Sequence, residues 1–208
     1  MSPEFLLTAL VVVLIPGTGV IYTVATGLTA GRRESIAAAL GCTLGIVPAL
    51  LASVVGLAAI FHTSALAFQI LKYIGAAYLL YLAWQTLKES GPMQIGNQKP
   101  AHRSLLAIAR TGCLINVLNP KLSVFFLAFL PQFIHVGDRV AAGSPTAQML
   151  FLGAVFMAMT FVVFVSYGMF AALVGERVLR SQTVLKWMRR TVAAAFAGFG
   201  LRLAFAGR

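Results

Sequence analysis

Three long stretches of this chain, Phe5 to Leu28, Ile36 to Phe61 and Gln148 to Val174, carry no charged side chain at all. Each is long enough to cross the roughly 30 Å hydrocarbon core of a bilayer as a helix, which takes about 20 residues. Further apolar runs lie at Ala65 to Leu87, Ile108 to Ile134 and Thr191 to Ala206, interrupted by charge only at Lys72, Arg110, Lys121 and Arg202. A soluble fold of 208 residues cannot hide a chain that is 60% hydrophobic and only 10% charged, so lipid must cover it. The expected fold is an all-α integral membrane protein of six transmembrane helices, a single domain over residues 1–208. The last run would reach only roughly 24 Å at 1.5 Å per residue, so its helix must begin near Trp187 or the bilayer must thin around it. The first run lacks a basic leader and a small-residue cleavage pattern, and reads as a retained helix.

Charge sets the expected orientation. Arg32 and Arg33 follow the first run. Lys88, Lys99 and Arg103 follow the third, with Arg110 at the edge of the fourth, and Arg177, Arg180, Lys186, Arg189 and Arg190 follow the fifth. The opposite side holds only Arg139 and Arg208. The positive-inside rule makes the first set cytoplasmic and places both termini outside. The net charge of +11 is then a matter of topology and anionic lipid, and a nucleic-acid partner has no support.

Two runs are interrupted at matching depth, by Pro16 and Gly17 in the first and by Asn119, Pro120 and Lys121 in the fourth. In lipid such a helix break persists only where protein or water satisfies the freed backbone groups. Matching interruptions in two halves are the best sequence pointer to a secondary transporter's site at the bilayer midplane. Six spans divide into three plus three, so the second half enters the membrane from the opposite side. The expectation is two inverted three-helix repeats, about 1–90 and 104–208, with broken spans one and four.

Lys121 carries the most weight among the candidate site residues. A lysine at mid-span costs roughly 2.5–3.5 kcal/mol on insertion scales and is too deep to snorkel, so it is expected to face the interior. Beside Pro120, at the start of a half-helix, its ammonium would add to the positive dipole end and suit an amino acid's carboxylate. Asn116 and Asn119 lie three apart on nearly one helix face and could hydrogen-bond a substrate or bridge helices. Gly17, Thr18 and Gly19 follow the first break, where backbone is exposed; the neighbouring threonines are expected to bond their own i−4 carbonyls. Gly41 and Gly45 read as a helix-packing pair, and Tyr81, Trp84 and Trp187 as an inner aromatic belt.

The stretch GCLINVLNPKLSVFFLAFLPQF (Gly112 to Phe133) resembles the signature of the LysE/RhtB translocator family of amino-acid exporters. So do KYIGAAYLLYLAWQTL (Lys72 to Leu87) and PGTGVIYTVATGLTAGRRESIAAALG (Pro16 to Gly41), and the resemblance covers nearly the whole chain. It implies six spans in a bacterial inner membrane and efflux of amino acids or close analogues driven by protons. Many members follow Pro-Gly-Pro with Asp or Asn, whereas this chain reads Pro16, Gly17, Thr18, Gly19, Val20. The acidic residues Glu4, Glu34, Glu89, Asp138 and Glu176 all fall at span ends or in loops, which leaves no intramembrane carboxylate to relay a proton. A lysine of lowered pKa at position 121 would be the substitute.

Two other classes are open to a chain of this composition. Cys42 and Cys113, placed near the cytoplasmic ends of spans two and four, would fit a transmembrane thiol-redox carrier, but neither sits in a CxxC motif. A non-transporting membrane scaffold is the blander alternative. His62, His102 and His135 sit in loops, and no metal cluster, cofactor motif or carboxylate pair suggests an enzyme. The sequence therefore reads as an exporter of neutral or basic amino acids by proton antiport with alternating access, and it is compatible with a homo-oligomer.

Overall fold

The computed structural model describes residues 2–14, 17–61, 104–134 and 144–174 without interruption, and scattered positions between 70 and 88 and between 183 and 201. Pro16, Lys72, Arg202, the three histidines, and the side chains of Pro120 and Lys121 lie outside the described residues, as do the full extents of spans three and six. Seven α-helices and one 3₁₀ turn are described: α1 (Pro3–Leu14), α2 (Thr18–Thr29), α3 (Arg32–Leu44), α4 (Val47–Phe61), α5 (Leu105–Val117), α6 (Pro120–Phe129), the 3₁₀ turn Leu130–Phe133, and α7 (Pro145–Val174). Among the described residues there is no strand.

Local sequence explains the helix starts. Ser2-Pro3 and Ser144-Pro145 open α1 and α7 in the same way. The serine hydroxyl accepts the amide of Phe5 at 3.3 Å in one case and of Ala147 at 3.2 Å in the other, and proline occupies the first helical position, where no amide is needed. Ser104 caps α5 likewise through the Ala107 amide. Gly31 links α2 to α3 at φ 109°, a conformation open to glycine. Glu4 and Glu34 lie in first helical turns, the favourable end of the dipole for a carboxylate.

Both expected breaks are present. α1 and α2 meet at 56°, and α5 stops at Val117 before α6 starts at Pro120. Span two departs from the expected uninterrupted run. It turns at Gly45–Ile46, although Arg32–Gly56 still serves as one candidate span. The cause is Pro48, which has no amide for the Leu44 carbonyl, so the chain restarts as α4 around it. Pro145–Leu173 is a second candidate span and the bent α1–α2 pair a third, while α5 alone is short.

Helix packing runs through small residues, as it must where lipid removes any hydrophobic drive between helices. A methyl group on Gly41 would strike the Ala109 carbonyl, one on Gly45 the Cys113 carbonyl, and one on Gly112 the backbone of Ala38 and Cys42. α3 and α5 are thus in backbone contact and run in the same direction. α2 and α7 do the same, with Gly19 against Phe164 and Gly27 against the Gly168 carbonyl. Phe125, Phe126, Phe129, Phe133, Phe156 and Phe5 form a chain of ring contacts at 5.0–5.6 Å that ties α6 and its 3₁₀ turn to α7 and to the start of α1. The belt residues Tyr81, Trp84 and Trp187 are exposed, and Lys88 and Arg190 lie over the Trp84 and Trp187 rings at 3.8 and 5.8 Å.

Candidate functional site

The two breaks border one cavity. Its volume is about 40 Å³, and it is lined by Val12 and Val13 at the end of α1, Gly17, Gly19 and Val20 at the start of α2, Asn116, Asn119 and Leu122 around the second break, and Phe156, Thr160 and Phe164 of α7. At about 10–15 Å³ per water this space admits a few water molecules and not a whole amino acid.

Proline chemistry makes the backbone around it special. The carbonyl of residue i in a helix accepts from residue i+4, and the residues four beyond Val12 and Asn116 are Pro16 and Pro120, which have no amide hydrogen. Both carbonyls belong to residues of the cavity wall. That of Asn116 is recovered by the Asn119 amide at 3.2 Å. The Leu14 carbonyl, at the end of α1, accepts the Tyr167 hydroxyl of α7 at 3.0 Å. On the far side of the break α2 begins with Gly17 in extended conformation (φ −92°, ψ −177°) and no side-chain cap. Among the described residues no side chain caps the first amides of α2.

Asn116 is the buried polar centre of the site, 3% exposed. Its amide nitrogen donates to the Cys42 carbonyl at 2.7 Å. That carbonyl is available because of the turn in span two, where the Gly45 amide bonds Gly41 and the Ile46 amide bonds Thr43. Hydroxyl and thiol donors nearby are committed: Thr23 and Cys42 both donate to the Gly19 carbonyl, at 2.9 and 3.8 Å, and Thr160 donates to Phe156 at 2.8 Å. Tyr22 reaches from α2 to the Ile108 carbonyl of α5 at 2.9 Å.

The residues singled out in the sequence divide accordingly. Gly17, Gly19, Asn116 and Asn119 line the cavity. Thr18 does not; it is exposed, since one residue along a helix turns the side chain by about 100° and Gly19 takes the inward position. Lys121 lies in the first turn of α6, between wall residues Asn119 and Leu122, with its side chain outside the described residues. Cys42 is buried about 15 Å along α3 from Arg32. Both cysteines are free. Sequence reasoning missed Thr160, Phe164 and Tyr167, and the only signal for them was the presence of Thr and Tyr within an otherwise apolar span.

Comparison with known proteins places this architecture. The family model described as LysE type translocator matches residues 10–207. The chain is 35% identical to an uncharacterized membrane protein of Vibrio cholerae over 97% of its own length and 95% of the relative's. It is 30% identical to a homoserine/homoserine lactone efflux protein of Salmonella typhimurium, again over 97% and 95%. A leucine efflux protein of Enterobacter sp. shares 26% identity over 96% of this chain and 93% of its own. No solved structure matches.

Proposed function

Because the chain belongs to the LysE type translocator family, and is therefore a membrane transporter and not an enzyme, we propose that it exports neutral amino acids or their close derivatives from the cytoplasm across the bacterial inner membrane. The observation that carries this reading is the convergence of both helix breaks on one cavity, with Gly17 and Gly19 facing Asn116 and Asn119. Relatives named for homoserine, homoserine lactone and leucine efflux give the substrate range its starting point. The wall agrees with that range: Val12, Val13, Val20, Leu122, Phe156 and Phe164 are apolar, and among the described residues no carboxylate lines the cavity.

In this reading the substrate's carboxylate meets the uncapped start of α2 and the Lys121 ammonium at the start of α6, two half-helix ends of positive dipole. Proton antiport with Lys121 as the exchanging group follows from the lack of any acidic residue within the apolar runs. Inverted repeats are supported by two regularities. Val12 with Pro16 recurs as Asn116 with Pro120, and the packing of span one on span five recurs as that of span four on span two. The small cavity then corresponds to a closed stage of alternating access, with the phenylalanine chain from Phe156 to Phe5 and Phe133 shutting the outward side.

The test is efflux from cells preloaded with dipeptides, with internal and external amino acids profiled with and without the protein. Faster appearance of leucine, homoserine or another neutral amino acid outside supports the reading. No differential efflux of any amino acid ends it.

A further inference from the structure

We infer that the side-chain oxygen of Asn116 is the acceptor for the α-ammonium group of the exported molecule, so that a free amine, more than a free carboxylate, defines the substrate class. This rests on the transport reading above and assigns the other end of the substrate.

The argument begins with the orientation of the carboxamide. A carbonyl can pair only with the NH₂ side of asparagine, and Cys42 presents a carbonyl to it at 2.7 Å. The oxygen is thereby turned the other way, toward α2, where it lies 2.8 Å from the position a β-carbon on Gly19 would take. Asn116 and Gly19 both line the cavity. Among the described residues no hydrogen-bond donor reaches this oxygen, although the residue is 97% buried. Among the described residues Ser53 Oγ is the fully enclosed side-chain oxygen without a partner; the Asn116 oxygen is instead open to the cavity and takes its donor from whatever occupies it, water or ligand.

The surroundings specify what that donor must be. The hydroxyls of Thr23 and Thr160 and the thiol of Cys42 already point at main-chain carbonyls, so none of these three side chains donates to the Asn116 oxygen. Val12, across the cavity, adds a carbonyl whose helical donor position is Pro16. An ammonium group brings three donors and a positive charge to such a cluster, whereas an N-acyl amide brings one donor, no charge and a bulky substituent. A lactone or ester keeps the ammonium and loses only the carboxylate. The site thus accepts amino acids and carboxyl-masked amino acids and rejects N-acylated ones.

The experiment uses the full chain in lipid nanodiscs. Bound radiolabelled L-leucine or L-homoserine is displaced by leucine methyl ester and homoserine lactone, which keep the amine, or by N-acetyl-leucine and N-acetyl-homoserine lactone, which mask it. In the parent protein the amine-masked compounds should compete about tenfold more weakly or worse. Asn116→Leu keeps the bulk and removes the acceptor, and should bring the two sets to near parity. Gly19→Ala keeps the asparagine but sets a methyl group 2.8 Å from its oxygen, which must displace or cover that oxygen, and should narrow the difference by an independent route.

Equal competition by masked and unmasked compounds in the parent, or undiminished discrimination in both variants, overturns the inference while leaving amino-acid export intact. Binding that vanishes when N-methylglucamine replaces sodium, with amine discrimination untouched by either variant, would give the oxygen to a metal cation and also overturn it. A parent protein that neither binds nor exports leucine or homoserine removes the inference together with the transport reading.

Discussion

The Asn116 amide nitrogen and the Cys42 main-chain carbonyl, 74 positions apart in sequence, are joined by a 2.7 Å hydrogen bond. The bond uses backbone on the α3 side, so the identity of residue 42 does not enter it. The thiol's own contact, 3.8 Å to the Gly19 carbonyl, duplicates a stronger one from Thr23 at 2.9 Å. Replacing Cys42 and Cys113 with Ala should therefore leave efflux nearly unchanged and cost about 1 kcal/mol of stability from the buried Cys42 site. Efflux assays beside thermal melts of the solubilised protein check both halves of this expectation. Loss of activity with a trapped mixed disulfide to a partner would instead favour the thiol carrier.

Gly41 and Gly56 make a matched pair of tests. A methyl group at position 41 meets the Ala109 carbonyl, which belongs to backbone and cannot swing aside, while one at 56 has only the Leu127 side chain at 3.8 Å. Gly41→Ala should destabilise the protein by about 1–3 kcal/mol. Gly56→Ala should be neutral or gain up to about 1 kcal/mol from helix propensity. Parallel melting curves of the two variants decide the point.

Tyr167 tethers α7 to the last carbonyl of α1 without lining the cavity. Tyr167→Phe removes that single bond, with an expected loss of about 1 kcal/mol. Because the hydroxyl lies outside the cavity wall, the maximal efflux rate should fall while the half-saturating substrate concentration holds. A change confined to half-saturation would place the hydroxyl in the binding site instead.

Lys121→Met removes the one charge expected at mid-membrane and should lower the insertion cost by about 2–3 kcal/mol, so the protein should accumulate at the parental level. Efflux should nevertheless collapse. Arginine at the same position should keep substrate binding better than proton coupling, since a guanidinium does not deprotonate. Parental efflux by a Met variant present at parental level would leave Lys121 with a structural role only.

Labelling tests the orientation. A cysteine introduced at Asn97 or Thr183 should be protected from impermeant thiol reagents in intact cells, and one at Asp138 or near the C-terminus should be modified. The reverse pattern would invert the topology without touching the cavity.

Proline made the breaks legible in advance, because its missing amide acts wherever it sits. Pro16 and Pro120 interrupt long runs midway, each beside a further break signal, Gly17 or Asn119. Pro48 has the same chemistry and also stands midway in its run, Ile36 to Phe61, which reads as uninterrupted in the sequence; the structure accommodates it by the turn at Gly45–Ile46, which leaves Pro48 in the first turn of α4. Which face of a lipid-buried helix points inward is harder to read, since apolar residues line both faces. That is why Thr160, Phe164 and Tyr167 emerge only from packing, and why the sequence does not distinguish Gly19, which lines the cavity, from Thr18, which is exposed. The carbonyl that orients Asn116 depends on a turn in another span, and no local pattern around Asn116 encodes it.

The pairing of Gly27 with Gly168 has a consequence for biogenesis. At ribosomal speeds of about 5–20 residues per second, the partner face on α7 is synthesised roughly 7–28 s after the glycine it must meet. Throughout that interval the first span waits in the membrane with its close-contact face covered only by lipid or by the insertion machinery. The nascent chain is therefore most open to membrane proteases before its fifth span arrives, and an N-terminal fragment made alone would never leave that vulnerable stage.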